Sequence, residues 1–189
     1  MTKETAAPWD EIRRPMLKIL LFVLILLCLF AVGVLIGAHL NLHPLPSNII
    51  ADRILVEKSA RSLTLLRGST PLKMYRVALG RAPVGPKEQE GDQRTPEGLY
   101  LIDFHKEDSD YHRALHVSYP AQRDIERAAA AGVMPGSDIM VHGLPNGRGW
   151  IGAFHRRRDW TAGCVAVTDF EIEEIWRAVP DGTPIEIRP

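Results

Sequence analysis

The stretch that decides the fold and the chemistry runs from Val141 to Val167 and reads VHGLPNGRGWIGAFHRRRDWTAGCVAV. It contains Cys164, the only cysteine outside a very apolar N-terminal segment, and His142, which ends a predicted strand. A thiol is a strong nucleophile only as thiolate, so it needs a base nearby, and His142 is the candidate. Gly163 lets the backbone turn sharply before the cysteine and leaves amide N–H groups free to hold an oxyanion. The stretch therefore predicts a nucleophilic Cys–His pair.

Structural interpretations of the same two residues stay open. Free cysteine is among the most buried residue types, and the apolar residues 165–167 that follow Cys164 are typical of a strand. The chain has 7 histidines, so His142 could equally be a loop or core histidine. Gly163 before the cysteine and a His-Gly pair upstream together favour the catalytic interpretation.

His142-Gly143, followed after a loop by Thr161, Gly163, Cys164 and Val165, resembles the signature of the L,D-transpeptidase catalytic domain, the YkuD-like family. That signature is a histidine, a loop, and then Ser/Thr-His-Gly-Cys with an apolar residue. Residues 91–100, which read GDQRTPEGLY, resemble the Thr-Pro-x-Gly strand entry of the family. The resemblance covers residues 50–189, and it is the combination of motifs that makes it specific.

The resemblance implies a role for each residue of the motif. Cys164 would be the nucleophile toward peptidoglycan stem peptides, and His142 would take its proton and return one to the leaving amine. The carbonyl of Gly143 would orient the imidazole, and the amides of Gly163 and Cys164 would form the oxyanion hole. Thr161 is counted, with Ala162 and Trp160 beside it, among the substrate-binding residues.

Two positions depart from the common pattern of the family. Ala162 stands where most relatives carry a second histidine, and Ala166 where they carry arginine or asparagine. Residues 163–169 instead resemble the YafK-type subgroup, in which some members are implicated in hydrolysis. The leading prediction is a cell-wall cysteine acyltransferase whose acceptor is an amine of a second stem or of a wall-attached protein. An L,D-carboxypeptidase or amidase on the same scaffold and a catalytically dead wall-binding or scaffolding protein are the alternatives.

Three arginines, Arg156, Arg157 and Arg158, lie between the predicted base and nucleophile. Guanidinium groups match the geometry of carboxylates, so these residues are predicted to clamp the carboxylates of a stem peptide. A solvated basic loop is the alternative. Trp160 is predicted to pack under this loop.

The N-terminal region predicts a membrane anchor. Residues 16–40 are almost wholly apolar, and about 20 such residues span a bilayer as a helix. Arg13, Arg14 and Lys18 lie at the N-terminal side, and the next basic residue is Arg53, so the positive-inside bias places the C-terminal domain outside the cytoplasmic membrane, in the periplasm. A cleaved signal peptide is the alternative, although residues 38–40 match a cleavage site poorly.

The predicted organisation is a cytoplasmic tail (1–15), a transmembrane anchor (16–40), a stiff linker (41–49) and a catalytic domain (50–189). An unpaired thiol outside the membrane is exposed to oxidation, which favours a use for Cys164. The 23 basic and 23 acidic residues balance, so composition gives no pull toward nucleic acid. With 2 cysteines, one of them in the apolar run, no disulfide framework is expected. His112 and His116 are four apart but in a strand-like context without a completing acid, so neither a metal nor another cofactor is predicted.

The catalytic domain is predicted to be a β-rich α+β fold rather than a βαβ repeat. Period-two patterns predict strands at 52–57, 62–67, 72–79, 99–104, 114–118, 137–141 and 183–187. A helix over 122–131 is predicted to end at Gly132. A capping box at Thr168 and Glu171 opens a second helix, which runs to about Val179. Its predicted apolar stripe is Phe170, Ile172, Ile175, Trp176 and Val179.

Overall fold

The computed structural model describes residues 8–39 and 43–189, and the chain divides into two compact units, 1–40 and 41–189. The first unit is one helix, α1 (Pro8–His39). Its segment Arg13–Gly37, of mean hydropathy 3.5, is long and apolar enough to cross a membrane. Such length and composition fit a membrane anchor and a signal sequence alike. Parts of the predicted tail, anchor and linker, namely residues 1–7 and 40–42, lie outside the described residues.

An eight-stranded mixed sheet forms the second unit, in the order β3-β2-β1-β8-β4-β5-β6-β7. Strands β1 and β8 pair in parallel, as do β6 and β7, and the other neighbours are antiparallel. The strands are β1 (Arg53–Glu57), β2 (Ser62–Arg67), β3 (Thr70–Arg76), β4 (Gly98–Ser109), β5 (His112–Val117), β6 (Met140–His142), β7 (Val165–Ala166) and β8 (Pro184–Arg188). Two α-helices, α2 (Gln122–Ala130) and α3 (Asp169–Ala178), and a 3₁₀ segment, Gly149–Arg157, complete the unit. The predicted β-rich α+β class is confirmed.

Alternating apolar residues explain why the central strands form. In β1 the buried side chains are Ile54 and Val56, and the parallel partner β8 contributes Ile185 and Ile187 to the same core. Burying each isoleucine contributes about 1.5–3 kcal/mol. The long strand β4 joins the two halves, because its first residues pair with β8 and its later residues with β5.

Helix α3 begins as the capping box predicts. Thr168 Oγ1 accepts a hydrogen bond from the Glu171 amide, and the Glu171 carboxylate accepts one from the Thr168 amide at 2.9 Å. The predicted apolar stripe is only partly right, since Ile172 and Ile175 are buried but Phe170 is 59% exposed. Phe170 lies in the first turn of the helix, where it points away from the core that the later residues reach.

Two predicted strands next to the site differ from the structure. The third strand ends at Arg76 instead of continuing to Leu79, because residues 77–80 leave β2 and make isolated bridges with the segment around Cys164. The strand predicted over 137–141 begins later and is Met140–His142, because Asp138 has a positive φ of 58° that interrupts extended backbone.

Candidate active site

Parallel pairing of β6 and β7 brings the predicted base and nucleophile to one end of the sheet. Val141 pairs with Val165 and His142 pairs with Ala166, so Cys164 immediately precedes its strand while His142 ends the neighbouring one. The side chains of both residues line one cleft of about 310 Å³. The cleft is lined by Arg81, Lys106, Ser109, Asp110, Tyr111, Asp138, Met140, His142, Trp160, Thr161, Ala162 and Cys164.

The imidazole of His142 is held in one tautomer. Its Nδ1 lies 2.7 Å from the carbonyl oxygen of Gly143, and a carbonyl can only accept, so Nδ1 carries the proton. In the neutral ring Nε2 is then left with a lone pair that can take a proton. The ring of Tyr111 lies 4.4 Å from the imidazole and that of Trp160 lies 5.7 Å from it, centroid to centroid.

Burial sets the protonation state of both groups. His142 is 3% exposed, and burial lowers its pKa to about 4 against the opposing effect of the Gly143 carbonyl. Burial also raises the pKa of the Cys164 thiol above its ordinary value, and the S–H donates to the Asp138 carbonyl at 3.5 Å. At neutral pH the resting pair is therefore a thiol and a neutral imidazole, and a nucleophilic attack by this sulfur would require transfer of its proton to a base.

Only glycine fits at position 163. Its φ is +138°, and an added Cβ would lie 2.7 Å from the carbonyl oxygen of Arg94 and 3.1 Å from Cδ1 of Ile139. The Gly163 amide donates to Thr161 Oγ1 at 3.1 Å, and that hydroxyl donates to the Cys164 carbonyl at 2.7 Å. The Gly163 amide predicted for the oxyanion hole is thus already engaged, whereas the Cys164 amide has no partner within the described part of the chain. The Thr161 hydroxyl therefore stabilises the turn by hydrogen bonds to both Gly163 and Cys164.

The three arginines between base and nucleophile do not reach the cleft. Arg156 pairs with Glu171 at the start of α3, and the Arg157 guanidinium lies over the Phe154 ring at 5.6 Å. Arg158 is exposed and does not line the cleft. Trp160 packs against the segment that carries these arginines, since its Nε1 donates to His155 Nδ1 at 3.3 Å, and it also forms a wall of the cleft.

Several lining residues had no local signal in the sequence. Arg81 lies between the strands predicted over 72–79 and 99–104, and it reaches the cleft because Gly80 bridges to Thr161. Lys106 and Tyr111 come from the β4–β5 hairpin, and Asp138 from the irregular residues before β6. Charged residues are common near predicted turns, so their presence there does not indicate a binding site. Identifying these lining residues requires knowing which distant segments of the chain pair.

His112 and His116, weighed as metal ligands, pair with separate carboxylates. His112 Nε2 lies 2.8 Å from Glu173 and His116 Nδ1 lies 2.7 Å from Asp103. Among the described residues no group of three or more His, Cys, Asp or Glu side chains is placed to hold a metal.

Comparison with known proteins places this geometry in a family. The model of the YkuD family, described as the L,D-transpeptidase catalytic domain, matches residues 51–187. The chain is also similar to the Escherichia coli K12 protein named "Putative L,D-transpeptidase YafK", with 28% identity over 111 residues, 57% of this chain and 37% of that protein.

Solved structures share the fold. The helical cell shape determining protein Pgp2 from Campylobacter jejuni is 22% identical with a TM-score of 0.56, over 74% of this chain and 48% of that one. Bd1075 from Bdellovibrio bacteriovorus is 24% identical with a TM-score of 0.50, over 75% of this chain and 49% of that one. The chain spans about half the length of these two structures and 37% of YafK. Because the family model covers most of its residues, the chain belongs to the YkuD family of L,D-transpeptidase catalytic domains.

Proposed function

We propose that this protein is a membrane-anchored cysteine acyltransferase that acts on peptidoglycan stem peptides through a thioester on Cys164. The observation that carries the proposal is the site itself. His142, fixed by the Gly143 carbonyl with Nε2 available, lines the same cleft as Cys164. This arrangement supplies a nucleophile and an oriented base.

In the proposed reaction, Sγ of Cys164 attacks the carbonyl carbon of the third residue of a tetrapeptide stem, diaminopimelate in many bacteria, in the peptide bond to D-Ala. The thiol proton moves to Nε2 of His142 as the S–C bond forms. The negative charge on the carbonyl oxygen is stabilised by the free Cys164 amide, and losing such a donor costs about 3–4 kcal/mol of transition-state stabilisation. His142 then gives the proton to the departing D-Ala nitrogen, the C–N bond breaks and the thioester remains.

The second half of the reaction reverses these roles. An amine of another stem, or of a wall-attached protein, attacks the thioester carbonyl while Nε2 accepts its proton. The new amide forms, and the proton passes to the departing sulfur, which restores the thiol. Because the thiol and the imidazole are both neutral at rest, the site avoids the desolvation cost of a buried ion pair between turnovers.

Hydrolysis is the second candidate, and Ala162 favours it. This small residue is exposed in the cleft, where most relatives of the family carry a histidine, so water has room to approach the thioester. With water as the acceptor, the same steps give an L,D-carboxypeptidase or amidase. The two chemistries differ only in the nucleophile of the second half.

For localisation we propose a single-pass protein of the cytoplasmic membrane with residues 50–189 on the outer side. Support comes from the apolar segment of α1 and from Arg13, Arg14 and Lys18 at its N-terminal side. The proposal predicts that the protein in the membrane fraction retains the apolar segment Arg13–Gly37. A soluble protein shortened at its N-terminus would instead identify a cleaved signal sequence.

Incubation of the detergent-solubilised protein with purified tetrapeptide muropeptides tests the function. We expect loss of D-Ala together with a crosslinked dimer or a tripeptide, identified by mass spectrometry. The Cys164→Ala variant is the control and should give neither product. If the folded wild-type protein leaves every donor unchanged while its thiol still reacts with iodoacetamide, the scaffolding alternative holds.

A further inference from the structure

The cleft around Cys164 contains a cation that nothing in the described chain neutralises. Arg81 is exposed, lines the cleft, and its guanidinium makes no ion pair or hydrogen bond with the described residues. The arginines predicted for this task are used elsewhere, since Arg156 pairs with Glu171 and Arg157 lies over Phe154. An unpaired guanidinium beside a nucleophile is suited to bind an anionic group of the substrate.

The backbone of Arg81 is fixed against the nucleophile segment. Its amide donates to the Thr161 carbonyl at 3.1 Å, and the preceding Gly80 amide donates to Thr95 Oγ1 at 3.1 Å. Position 80 tolerates only glycine, because an added Cβ would lie 2.2 Å from the Gln93 carbonyl oxygen and 3.1 Å from Cα of Gly163. Hydrogen bonds thus hold the backbone of Arg81 next to the turn that carries Cys164.

Position 166 carries no side chain that could bind a carboxylate. Ala166 is fully buried in β7, and it exchanges two backbone hydrogen bonds with Ala78, at 2.8 and 2.9 Å. Its methyl group cannot contact a carboxylate, although the family resemblance places a polar substrate contact at this position. The segment that pairs with Ala166 leads directly to Arg81, three residues further along the chain.

We propose that Arg81 binds the free carboxylate of the second or third residue of the donor stem peptide, the part that stays on the enzyme as the acyl group, and thereby positions the scissile carbonyl at Cys164. This inference rests on the proposed function, because it assigns the substrate recognition of the same site. The guanidinium forms a two-pronged contact that an ammonium cannot make. Lys106, the other cation lining the cleft, comes from the β4–β5 hairpin and adds a less directional attraction.

The test compares donor peptides that differ only in charge. The wild type, Arg81→Gln, Arg81→Lys and the control Arg158→Gln, which alters an exposed arginine outside the cleft, are assayed for D-Ala release. One donor is the unmodified tetrapeptide muropeptide. Two others carry a carboxamide in place of either the free carboxylate of the third residue or that of the second.

We expect Arg81→Gln to lower kcat/KM on the unmodified donor about ten- to a hundredfold, the range for a charged hydrogen bond. One of the two carboxamide donors should show the same loss with the wild type and no further loss with Arg81→Gln, which identifies the carboxylate. Arg81→Lys should recover part of the loss, and Arg158→Gln should match the wild type. Equal losses for Arg81→Gln on all three donors, or no loss on any, would overturn the assignment.

A binding measurement separates this inference from the proposed function. Calorimetry with the Cys164→Ala protein measures the affinity for the unmodified donor with and without Arg81→Gln, and needs no turnover. Weaker binding of the unmodified donor by the Arg81→Gln protein supports the assignment even if the wild type releases no D-Ala. Unchanged affinity refutes it even if the wild type is an active enzyme.

Discussion

The protonation state of His142 makes a quantitative prediction about stability. Burial lowers the pKa of this imidazole from 6.5 to about 4. Between pH 6.5 and about pH 4, His142 is therefore protonated in the unfolded chain and neutral in the folded chain. Stability is then full above pH 6.5 and falls as the pH drops toward 4. Integrating the two titrations from pH 7 to pH 5 gives a loss of about 2 kcal/mol from this residue alone.

Urea denaturation of residues 41–189 at pH 7 and pH 5, followed by tryptophan fluorescence, measures the effect. The wild type is compared with His142→Gln, which keeps every other titrating group, including the buried His155. We expect the wild type to lose about 2 kcal/mol more than the variant between the two pH values. The same pH dependence in both proteins would show that His142 does not lie buried and neutral, and the reasoning about the resting pair would fail.

Three further substitutions test how the site and the domain are held. Gly163→Ala should lower the free energy of unfolding, measured by thermal melting, by about 1–3 kcal/mol because of its φ of +138°, and by more because of the contact with Arg94. Gly147→Ala is the control and should be less destabilising, because Gly147 has a φ of +77° but open space around it. Glu174→Gln should lower the free energy of unfolding by about 3–5 kcal/mol. The buried Glu174 carboxylate accepts hydrogen bonds from the amide of the linker residue Leu45 at 2.8 Å, from Lys73 and from Tyr75. The more exposed Glu173→Gln is the control with an expected change near zero, and an equally small change for Glu174→Gln would contradict the burial. Thr161→Val should lower turnover and reduce the free energy of unfolding by about 1–3 kcal/mol, because it removes both hydrogen bonds of the hydroxyl. Thr161→Ser keeps the hydroxyl and should restore both; equal effects of the two substitutions would contradict the role of these hydrogen bonds.

Features encoded locally were predictable from the sequence. The capping box at Thr168 and Glu171 gave the start of α3, and alternating residues such as Ile54 and Val56 gave the central strands, because both patterns depend on neighbours along the chain. Cys164 and His142 were predicted from a motif as nucleophile and base, and both side chains line one cleft.

Features that depend on distant segments were not predictable. Arg81 reaches the cleft through the bridge between Gly80 and Thr161, and no local pattern in residues 80–94 announces it. Arg156 looked available for substrate, but its partner Glu171 comes from the next helix. In both cases the charge was visible in the sequence, while its partner depended on how two separate segments pack.

Acylation of Cys164 tests the central claim most directly. The full-length protein is incubated with a carbapenem or a tetrapeptide donor, and peptide mapping by mass spectrometry then locates any added mass. We predict one acyl group on Cys164, none on Cys28, and none anywhere in the Cys164→Ala variant. A wild-type protein that turns over stem peptides without ever carrying an acyl group on this sulfur would contradict the account.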